Sequence, residues 1–372
     1  MIGAGLAGTT AAIVLGRQGH KVMLVDPRPS YPAVFKAEKI EPDQVRMLRK
    51  LGLMDYLLPH VRRICEIQGG FNGRVFGTSQ TEQYGVYYSA MVNALRNAMP
   101  PSVQFKVDRA LEVINSDDLQ RIKFTGGEEV CCRLIVLASG LAAEIPLSLG
   151  LRRIYVQKNQ SVSLGFTLAP GNGRAFSFDS VTYYSISPRL GVDYISLFPV
   201  RDGVRANLFA FPEAHDGWVR QLIVEPQKGI AQCFPRLRKV IGEFHIASKV
   251  EAAVVHLYRT ESQELPGVVL IGDAAQNVCP ATGMGLSKIF TDVATLSANV
   301  PGWFATPGMG VGKTASYWNN PEKTAVDTMA LQNAFYRRHA ATGRSLKWKL
   351  HRTRLHWSMQ LRPPTKMAAS RA

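Results

Sequence analysis

The sequence predicts an α/β fold in which an antiparallel sheet interrupts a domain built on a parallel sheet. Strands alternate with helical patterns through residues 1–140, which is typical of parallel strands joined by helices. From Arg152 to about Pro212 apolar and polar residues instead alternate, in stretches separated by the turn signals PGNG, PRLG and RDG. A buried strand near residue 267 then returns the chain to the first domain.

We therefore expect a discontinuous parallel-sheet domain formed by residues 1–150 and 258–300. Residues 151–257 should form the antiparallel sheet, include a helical stretch around Trp218–Phe244, and close over a ligand. Residues 301–372 should form a basic, helical C-terminal segment. At 372 residues with 46% hydrophobic content, the chain is long enough for two interleaved domains.

The N-terminal stretch IGAGLAGTTAAIVLGRQGHKVMLVDPR carries three glycines in G-x-G-x-x-G spacing, then a helical pattern and a short strand ending in an acid. Gly3 permits a tight turn, Gly5 lets the backbone approach a pyrophosphate, and Gly8 lets the helix pack on the strand. The helix start offers free N–H groups and a positive dipole end, and Asp26 is placed to accept hydrogen bonds from a ribose. The residues of this half expected to hold a cofactor are Gly3, Gly5, Leu6, Ala7, Gly8, Asp26, Arg28 and Lys39.

Only Met1 and Ile2 precede Gly3, whereas such a turn normally follows a central, buried strand of about five residues. Either the start codon is placed too late, or the chain lacks the strand and holds its cofactor poorly. We favour the first alternative, because deleting a central parallel strand would leave unpaired hydrogen-bonding groups on its neighbours.

A second motif, GVVLIGDAAQNVCPATGMGLSKIFTDV, begins at Gly267. It runs a buried strand into a Gly-Asp turn and then through a proline to a helix start with glycine spacing. Two turns of the nucleotide-binding type, one at each end of the discontinuous domain, predict one large cofactor held from both ends.

Together the two motifs resemble the class A flavoprotein monooxygenases of the para-hydroxybenzoate hydroxylase type. The segments KIEPDQVRMLRKLGL and VDYISLFPVRDGVRANLFAF extend the resemblance to about residue 300. It implies a Rossmann-like FAD-binding domain interrupted by an antiparallel substrate domain. It also implies an oxidoreductase in which reduced FAD captures O2 and the resulting hydroperoxide hydroxylates an aromatic or other apolar organic substrate, with NAD(P)H as the candidate electron donor.

In that family the Asp of the second motif, here Asp273, binds the ribityl chain, and the Pro, here Pro280, lies beside the reactive edge of the flavin. The positive end of a helix dipole at this place would stabilise negative charge on the reduced flavin. The resemblance gives no side-chain acid or base for catalysis. The backbone N–H groups that it directs at the pyrimidine side of the flavin belong to Gly283, Met284, Gly285 and Leu286.

Three positions depart from the family pattern. Ser139-Gly140 stands where an Asp-Gly pair is usual, Tyr88 where an Arg is common, and Gln276 where a His is common. These changes leave flavin binding in place but weaken the expectation of NADPH use. An FAD-dependent reductase or dehydrogenase of a secondary metabolite therefore stays open, and so does a degenerate, non-catalytic flavin-binding protein.

The remaining composition excludes several classes of protein. The five cysteines form no C-x-x-C pair and no cluster with metal-ligand spacing, which favours a reduced cytoplasmic setting without a metal site. No signal-peptide pattern and no run of about 18 apolar residues is visible. PGMGVGKT resembles a phosphate-binding loop but has Pro307 where that motif requires Gly.

The net charge of +16 is concentrated in the last 40 residues, where bases alternate with Trp and Leu. We expect a C-terminal helix packed by its Trp/Leu face, and keep peripheral contact with an anionic membrane as the alternative. No nucleic-acid-binding motif accompanies these bases, so we predict a small-molecule substrate and O2 as partners, not nucleic acid. The candidate side chains for the substrate wall are Tyr183, Tyr184, Tyr194 and Phe198. Packing of the sheet against the cofactor domain is an equal alternative for them.

Overall fold

The computed structural model describes residues 1–171, 173–185, 190–212, 217–261 and 265–361. Its helices are α1 Leu6–Arg17, α2 Pro42–Lys50, α3 Met54–Leu57, α4 Tyr88–Asn97, α5 Glu144–Ser148, α6 Gly217–Val224, α7 Pro226–Cys233, α8 Arg238–Ile241, α9 Gly285–Phe304, α10 Val311–Trp318, α11 Pro321–Thr342 and α12 Leu346–Leu361. Its strands are β1 Val22–Asp26, β2 Lys39–Ile40, β3 Arg62–Phe71, β4 Arg74–Gly85, β5 Val103–Val107, β6 Ala110–Ile114, β7 Gln120–Phe124, β8 Glu129–Cys132, β9 Ile135–Leu137, β10 Arg152–Pro170, β11 Ser180–Tyr184, β12 Val192–Val200, β13 Gly203–Ala210, β14 Phe244–Ile246, β15 Glu251–Glu261, β16 Val268–Leu270 and β17 Gln276–Asn277.

The first domain is built on parallel strands in the order β5, β1, Ile2, β9, β16. Ile2 forms parallel bridges with both Val25 and Leu137, so the residues before Gly3 occupy the centre of this layer. The helices α1, α4 and α9 cover one face, and the small sheet β6–β7–β8 covers the other. This arrangement confirms the predicted α/β class and the central, buried position of the segment before the glycine turn.

The second layer is a sheet of ten strands ordered β17, β15, β10, β13, β12, β11, β3, β4, β2, with β14 beside β10. It draws on more of the chain than the predicted segment 151–257, because β2, β3 and β4 come from residues 39–85. Its pairs are antiparallel except that β11 runs parallel to β3. Strands β3 and β4 were not predicted, because Gly69, Gly70 and Gly77 interrupt any alternating pattern.

The two faces of this sheet differ in chemistry. One face is apolar and packs against α6, α7 and α8, through residues such as Leu164, Ile195 and Leu208. The other faces the parallel-sheet domain. There the alternate positions are largely polar, and they include Ser163, Ser196, Arg205, Asn207 and Phe209.

The predicted helical stretch Trp218–Phe244 is broken into three short helices. Pro226 begins α7, and Pro235 separates α7 from α8. Proline lacks the N–H needed inside a helix and restricts the residue before it, so the chain turns at both places.

The segment for which a basic, helical C-terminus was expected contains α10, α11 and α12, and its residues 362–372 lie outside the described residues. Trp348 packs against Tyr336 and stacks on His339 with ring centroids 5.6 Å apart. The expectation that the whole Trp/Leu face is packed is wrong, because four apolar side chains of α12 are between 50% and 73% exposed. These are Leu346, Leu350, Trp357 and Leu361.

The segment PGMGVGKT, which resembles a phosphate-binding loop, has a structural role. The Lys313 ammonium donates to the carbonyl oxygens of Trp303, Thr306, Pro307 and Gly308 at 2.7–3.0 Å, and so closes the C-terminal end of α9. A lysine engaged by four carbonyls at the negative end of a helix does not present its charge to a phosphate. Within the described part of the chain, no helix has both the length and the apolar character needed to cross a bilayer.

Candidate functional site

The glycine turn before α1 is shaped by steric contact. Gly3 has φ +101°, and a Cβ at this position would lie 2.5 Å from the carbonyl oxygen of Ala138. A Cβ on Gly8 would lie 1.9 Å from the carbonyl oxygen of Gly3. In contrast, a Cβ on Gly5 would meet only the edge of Tyr31, at 3.8 Å. The protein itself therefore requires glycine at the first and third positions, and the second is left open toward a ligand.

Asp26 ends β1 beneath this turn and is almost fully buried. Its carboxylate accepts hydrogen bonds from the Ala4 and Arg28 N–H groups, each at 3.0 Å. Arg96 of α4 lies 3.5 Å from the same carboxylate and donates to the Ala4 carbonyl oxygen at 2.6 and 2.9 Å. Burial lowers the pKa of Arg96, and the Asp26 charge opposes that shift. The predicted Asp26 thus has a partner, Arg96, that sequence analysis did not single out.

Cationic and aromatic side chains face the start of α1. The Tyr31 and Tyr88 rings meet edge to face, with centroids 5.4 Å apart. The Lys36 ammonium lies 5.6 Å from the Tyr88 ring centroid and 3.5 Å from the Asp273 carboxylate. The predicted Lys39 pairs instead with Glu41 at 3.0 Å. Lys36 is therefore the lysine that lies beside the second motif, and Tyr88 occupies the family's Arg position as a buried, neutral side chain whose pKa burial raises.

The second motif begins with a left-handed glycine. Gly272 has φ +62°, and a Cβ there would lie 3.1 Å from the Ala7 Cβ, so the two predicted turns are in contact. The Gly272 N–H donates to the Asp292 carboxylate of α9 at 2.8 Å. The Tyr258 hydroxyl donates to the carbonyl oxygen of Asp273 at 2.8 Å. Both sides of the Gly-Asp turn are thereby fixed, and the Asp273 side chain projects beside Lys36.

The chain then makes a short helical turn, Pro280–Thr282, before α9. Gly283 is left-handed at φ +71°, and its carbonyl oxygen accepts a 2.7 Å hydrogen bond from the Gln44 amide. No side chain caps α9, whose first residues are the predicted Gly285 and Leu286. The predicted N–H groups of Gly283 and Met284 instead donate within the turn, to the Pro280 carbonyl oxygen at 3.0 Å and the Thr282 hydroxyl at 3.3 Å. The start of α1 likewise has no side-chain cap. Two uncapped helix starts, an open Gly5 and two flanking carboxylates fit the phosphates, ribose and ring of a flavin dinucleotide.

The polar face of the large sheet covers this second motif. The Tyr194 hydroxyl donates to the Ala281 carbonyl oxygen at 3.0 Å, which places this predicted wall residue beside Pro280. The Asp193 carboxylate pairs with Arg337 at 2.8 Å, and the Arg337 guanidinium lies 4.7 Å from the Tyr194 ring centroid. Burial, opposed by Arg337, raises the pKa of Asp193 to about 6.

Two of the four proposed wall residues lie elsewhere. Tyr183 is on the apolar face of the sheet, 5.8 Å from the Phe234 ring, and its hydroxyl accepts from the Gly73 N–H. Phe198 is on the same face as Tyr194 but packs with Ile64 and Val200. A strand sends successive side chains to opposite faces, so Tyr183 and Tyr184 could not both line one wall. Tyr184 is on the same face as Tyr194, with ring centroids 6.0 Å apart.

A buried ion pair links the sheet to the loop before β2. Arg205 donates to the Glu38 carboxylate at 2.8 Å and also pairs with Glu251. The Asn207 amide, oriented to donate, lies 3.0 Å from the same Glu38 oxygen. Burial outweighs the Arg205 hydrogen bond and raises the pKa of Glu38 to about 7. Glu38 and Arg205 were not predicted as site residues, although the charge of Arg205 at an inward-facing position of β13 could have indicated the pair.

The position of the family's middle motif is occupied by a local turn. The Ser139 hydroxyl donates to the Ala142 carbonyl oxygen at 3.1 Å. Arg153 donates to the carbonyl oxygens of Leu141 and Ala142 at 2.8 and 3.0 Å, and its guanidinium lies 4.5 Å from the Tyr258 ring centroid. The turn is held by a hydroxyl and an arginine, with no carboxylate at position 139.

Residues 1–300 match the protein family described as FAD binding domain. Kynurenine 3-monooxygenase of Salinispora arenicola is 26% identical over 332 residues, which cover 80% of this chain and 70% of that protein. The 3-demethoxyubiquinol 3-hydroxylase of Escherichia coli is 24% identical over 337 residues, covering 80% and 77%.

Two solved structures share the fold. PqsL of Pseudomonas aeruginosa, in complex with 2-aminobenzoylacetate, superposes with a TM-score of 0.72 at 18% identity, over 96% of this chain and 98% of that one. HpxO of Klebsiella pneumoniae, complexed with FAD and uric acid, gives a TM-score of 0.70 at 20% identity, over 97% and 91%. The match to most of the chain and the geometry of the two glycine turns agree. The chain belongs to the FAD binding domain family and is an FAD-dependent monooxygenase.

Proposed function

We propose that this enzyme hydroxylates an organic ring substrate that carries hydrogen-bonding substituents, bound between the polar face of the large sheet and the turn at Pro280. The observation that carries the proposal is the chemistry of that face. The Ser163 and Ser196 hydroxyls are buried there without a protein partner among the described residues. Phe209 lies between them, paired across the strands with Ser163 and Tyr194. Buried hydroxyls favour a ligand that can satisfy them, beside aromatic surface that can stack on a ring.

When bound, FAD supplies the oxygen chemistry of the reaction, and the protein supplies binding, orientation and exclusion of water. The uncapped starts of α1 and α9 would hold the cofactor, together with Asp26, Asp273 and Lys36. Tyr194 would orient the substrate, because its hydroxyl is anchored on the Ala281 carbonyl oxygen next to Pro280. Kynurenine, 2-aminobenzoylacetate and uric acid, which are named for one relative and two structural neighbours, have the polar, ring-based chemistry that this wall would accept.

The test is a substrate panel assayed by NAD(P)H oxidation and O2 uptake. We expect ring compounds with hydroxyl, amino or carboxylate groups to stimulate both signals and to yield products one oxygen heavier by mass spectrometry. Squalene, a hydrocarbon without hydrogen-bonding groups that is named for two further relatives, is the contrasting substrate, and its turnover would contradict the proposal. Turnover that is equally fast under nitrogen would instead support a reductase.

NAD(P)H is the proposed electron donor, with weak use expected because Ser139 stands where the family has Asp. Ser139→Asp is the matched variant. It should lower the KM for NAD(P)H without changing the Kd for FAD, because the local turn is held mainly by Arg153. An unchanged KM would show that this position does not control nicotinamide use.

We also propose peripheral contact with anionic membranes through α12. Its exposed apolar stripe, Leu346, Leu350, Trp357 and Leu361, is flanked by Lys347, Lys349 and Arg354, and the helix contains no acidic residue. Such a helix suits an anionic lipid surface, with attraction of about 1 kcal/mol for each base near the surface. Co-sedimentation with phosphatidylserine vesicles should exceed that with neutral vesicles and fall with salt. Trp357→Glu should abolish it, and binding that ignores both lipid charge and this substitution would refute the contact.

A further inference from the structure

Beneath the Gly-Asp turn of the second motif, α9 and α11 share a closed group of four charged side chains, here called the charge cluster: Lys288, Asp292, Lys323 and Asp327. The Lys288 ammonium lies 3.1 Å from Asp292 and 2.7 Å from Asp327. The Lys323 ammonium lies 3.1 Å from Asp292 and 2.7 Å from Asp327. Three of these side chains are at most 2% exposed, and Asp327 is 22% exposed. Each lysine thus contacts both carboxylates, and the cluster is neutral as a whole.

The cluster is connected directly to the cofactor turn. Asp292 accepts the Gly272 N–H at 2.8 Å, and Gly272 packs against Ala7 in the first turn of α1. The Gln276 amide donates to the Asp327 carbonyl oxygen at 2.9 Å, which adds a second link between this motif and α11. If the Asp292 carboxylate turned away, the Gly272 N–H would lose its hydrogen bond, and the backbone just before Asp273 would no longer be held in place.

Each member of the cluster stays ionised because its oppositely charged partners are present. Burial alone would lower the pKa of Lys288, but Asp292 and Asp327 raise it above its usual range. Burial would raise the pKa of Asp292, but Lys288 and Lys323 hold it below its usual value. Removing one partner of such a buried group leaves an uncompensated charge in a region of low dielectric, where its field extends to neighbouring groups.

We infer that Lys288 and Lys323 are positioning residues for FAD. They hold the Asp292 carboxylate on the Gly272 amide, and they keep the net charge of the cluster next to this turn at zero. FAD carries a doubly negative pyrophosphate, and a glycine turn places it at the start of α1. A net negative charge behind Gly272 would repel it, and a net positive charge would not. Helix α11, predicted only as part of a basic C-terminal segment, thereby becomes part of the cofactor site.

The test compares substitutions of opposite charge in the same cluster. Lys323→Met leaves the cluster at −1, Asp327→Asn leaves it at +1, and the double variant Lys323→Met/Asp327→Asn is neutral. Each variant is prepared as full-length protein, stripped of FAD, and titrated with FAD by calorimetry or flavin fluorescence. Lys349→Met on the exposed side of α12 is the matched lysine control.

We expect Lys323→Met to raise the FAD Kd by about tenfold or more, the estimate for one unit charge near a phosphate in a protein interior. Asp327→Asn should leave the Kd within about threefold of the parent value, and the double variant should recover most of the loss. The Lys349→Met control should be unchanged.

A purely structural role predicts a different result. If both single variants weaken FAD equally, or if the double variant is worse than Lys323→Met, packing and not charge balance carries the effect and the inference is overturned. If neither affects the Kd, the cluster has no bearing on the cofactor and the inference is also overturned. Should Lys323→Met fail to fold, Lys288→Met takes its place, because Lys288 contacts the same two carboxylates and its loss also leaves the cluster at −1, with the same expected rise in the FAD Kd. The Kd requires no substrate, so this outcome is independent of the proposed hydroxylation.

Discussion

The two turns that meet at the cofactor site are held by different forces. The first, around Gly3 and Gly8, is fixed by contact between backbone atoms, because a Cβ at Gly8 would overlap the Gly3 carbonyl oxygen. The second, around Gly272, is fixed by a hydrogen bond to Asp292, which is itself held by two lysines. Steric fixing uses backbone atoms that lie in contact, such as those of Gly3 and Gly8, whereas fixing by charge uses side chains from two separate helices, α9 and α11.

The difference has a consequence for tolerance to mutation. Contact between backbone atoms is indifferent to pH and salt but does not tolerate an added methyl group. A buried charge cluster accepts a change in side-chain volume more readily, but not a change in net charge. The first turn should therefore be sensitive to the size of a substitution and the second to its charge.

The largest expected effect comes from a substitution in the first turn, which is fixed by steric contact. Gly8→Ala should cost about 3 kcal/mol or more of unfolding free energy and abolish FAD binding, because α1 must move off the turn to relieve the overlap. Urea denaturation and FAD titration measure the two effects. Gly302→Ala is the control, since a Cβ there meets nothing within 4 Å and alanine favours a helix. Equal, small costs at Gly8 and Gly302 would show that the first turn is not under steric control.

The next effect tests the charged side chain at the tip of the second turn. Asp273→Ala should weaken FAD by about 1.5–3 kcal/mol, the usual value of a charge-assisted hydrogen bond. Asp273→Asn should lose less, because the amide keeps an acceptor for the ribityl hydroxyls and still faces Lys36. The measurement is the FAD Kd at constant ionic strength. An Ala variant that binds FAD as tightly as the parent protein would exclude Asp273 from the site.

The same contrast explains which parts of the site could be predicted. Gly3, Gly5, Gly8 and Asp26 follow a fixed local spacing, because one turn and one strand separate them. The Gly-Asp turn at Gly272 has a comparable local signature. The alternation of β10, β12 and β13 likewise predicted a sheet, since the period of a strand is local.

The supporting residues could not be predicted in the same way. Lys36 and Arg96 reach the site from a loop and from α4, and nothing in their spacing to the glycines marks them. Lys323 stands in a segment whose many bases predicted a solvated or membrane-facing helix, yet it is buried. Its one usable signal is the i,i+4 spacing to Asp327, matched by the same spacing of Lys288 and Asp292.

A third effect concerns the pH dependence of stability that arises from Glu38, the partner of Arg205 in the ion pair between the sheet and the loop before β2. The pKa of Glu38 is about 7 in the folded protein, against an ordinary value near 4.5, so folded protein binds the proton that unfolded protein has released. The free energy of unfolding contributed by this group should therefore fall as pH rises from about 4.5 to 7, by about 2–3 kcal/mol.

Glu38→Gln removes that dependence, because the amide does not titrate. The stability difference between the parent protein and this variant should shift in favour of the variant between pH 5 and pH 7.5, as measured by urea denaturation. Glu322→Gln, at an exposed position of α11, controls for the loss of a carboxylate. Parallel stability curves for the parent and Glu38→Gln would mean that Arg205 keeps this carboxylate ionised throughout.

The smallest expected effect tests whether the second turn depends on the charge of its contacts or only on their number. Gln276 links this motif to α11 by a neutral hydrogen bond to the Asp327 carbonyl oxygen and adds no charge. Gln276→Ala should cost about 1 kcal/mol of unfolding free energy, the usual net value of such a bond, and should leave the FAD Kd within about threefold. If the number of contacts to α11 governed the turn, the Kd would instead rise as far as in Lys323→Met. A large loss of FAD affinity in Gln276→Ala would therefore assign the second turn to packing, like the first, and remove the distinction between the two.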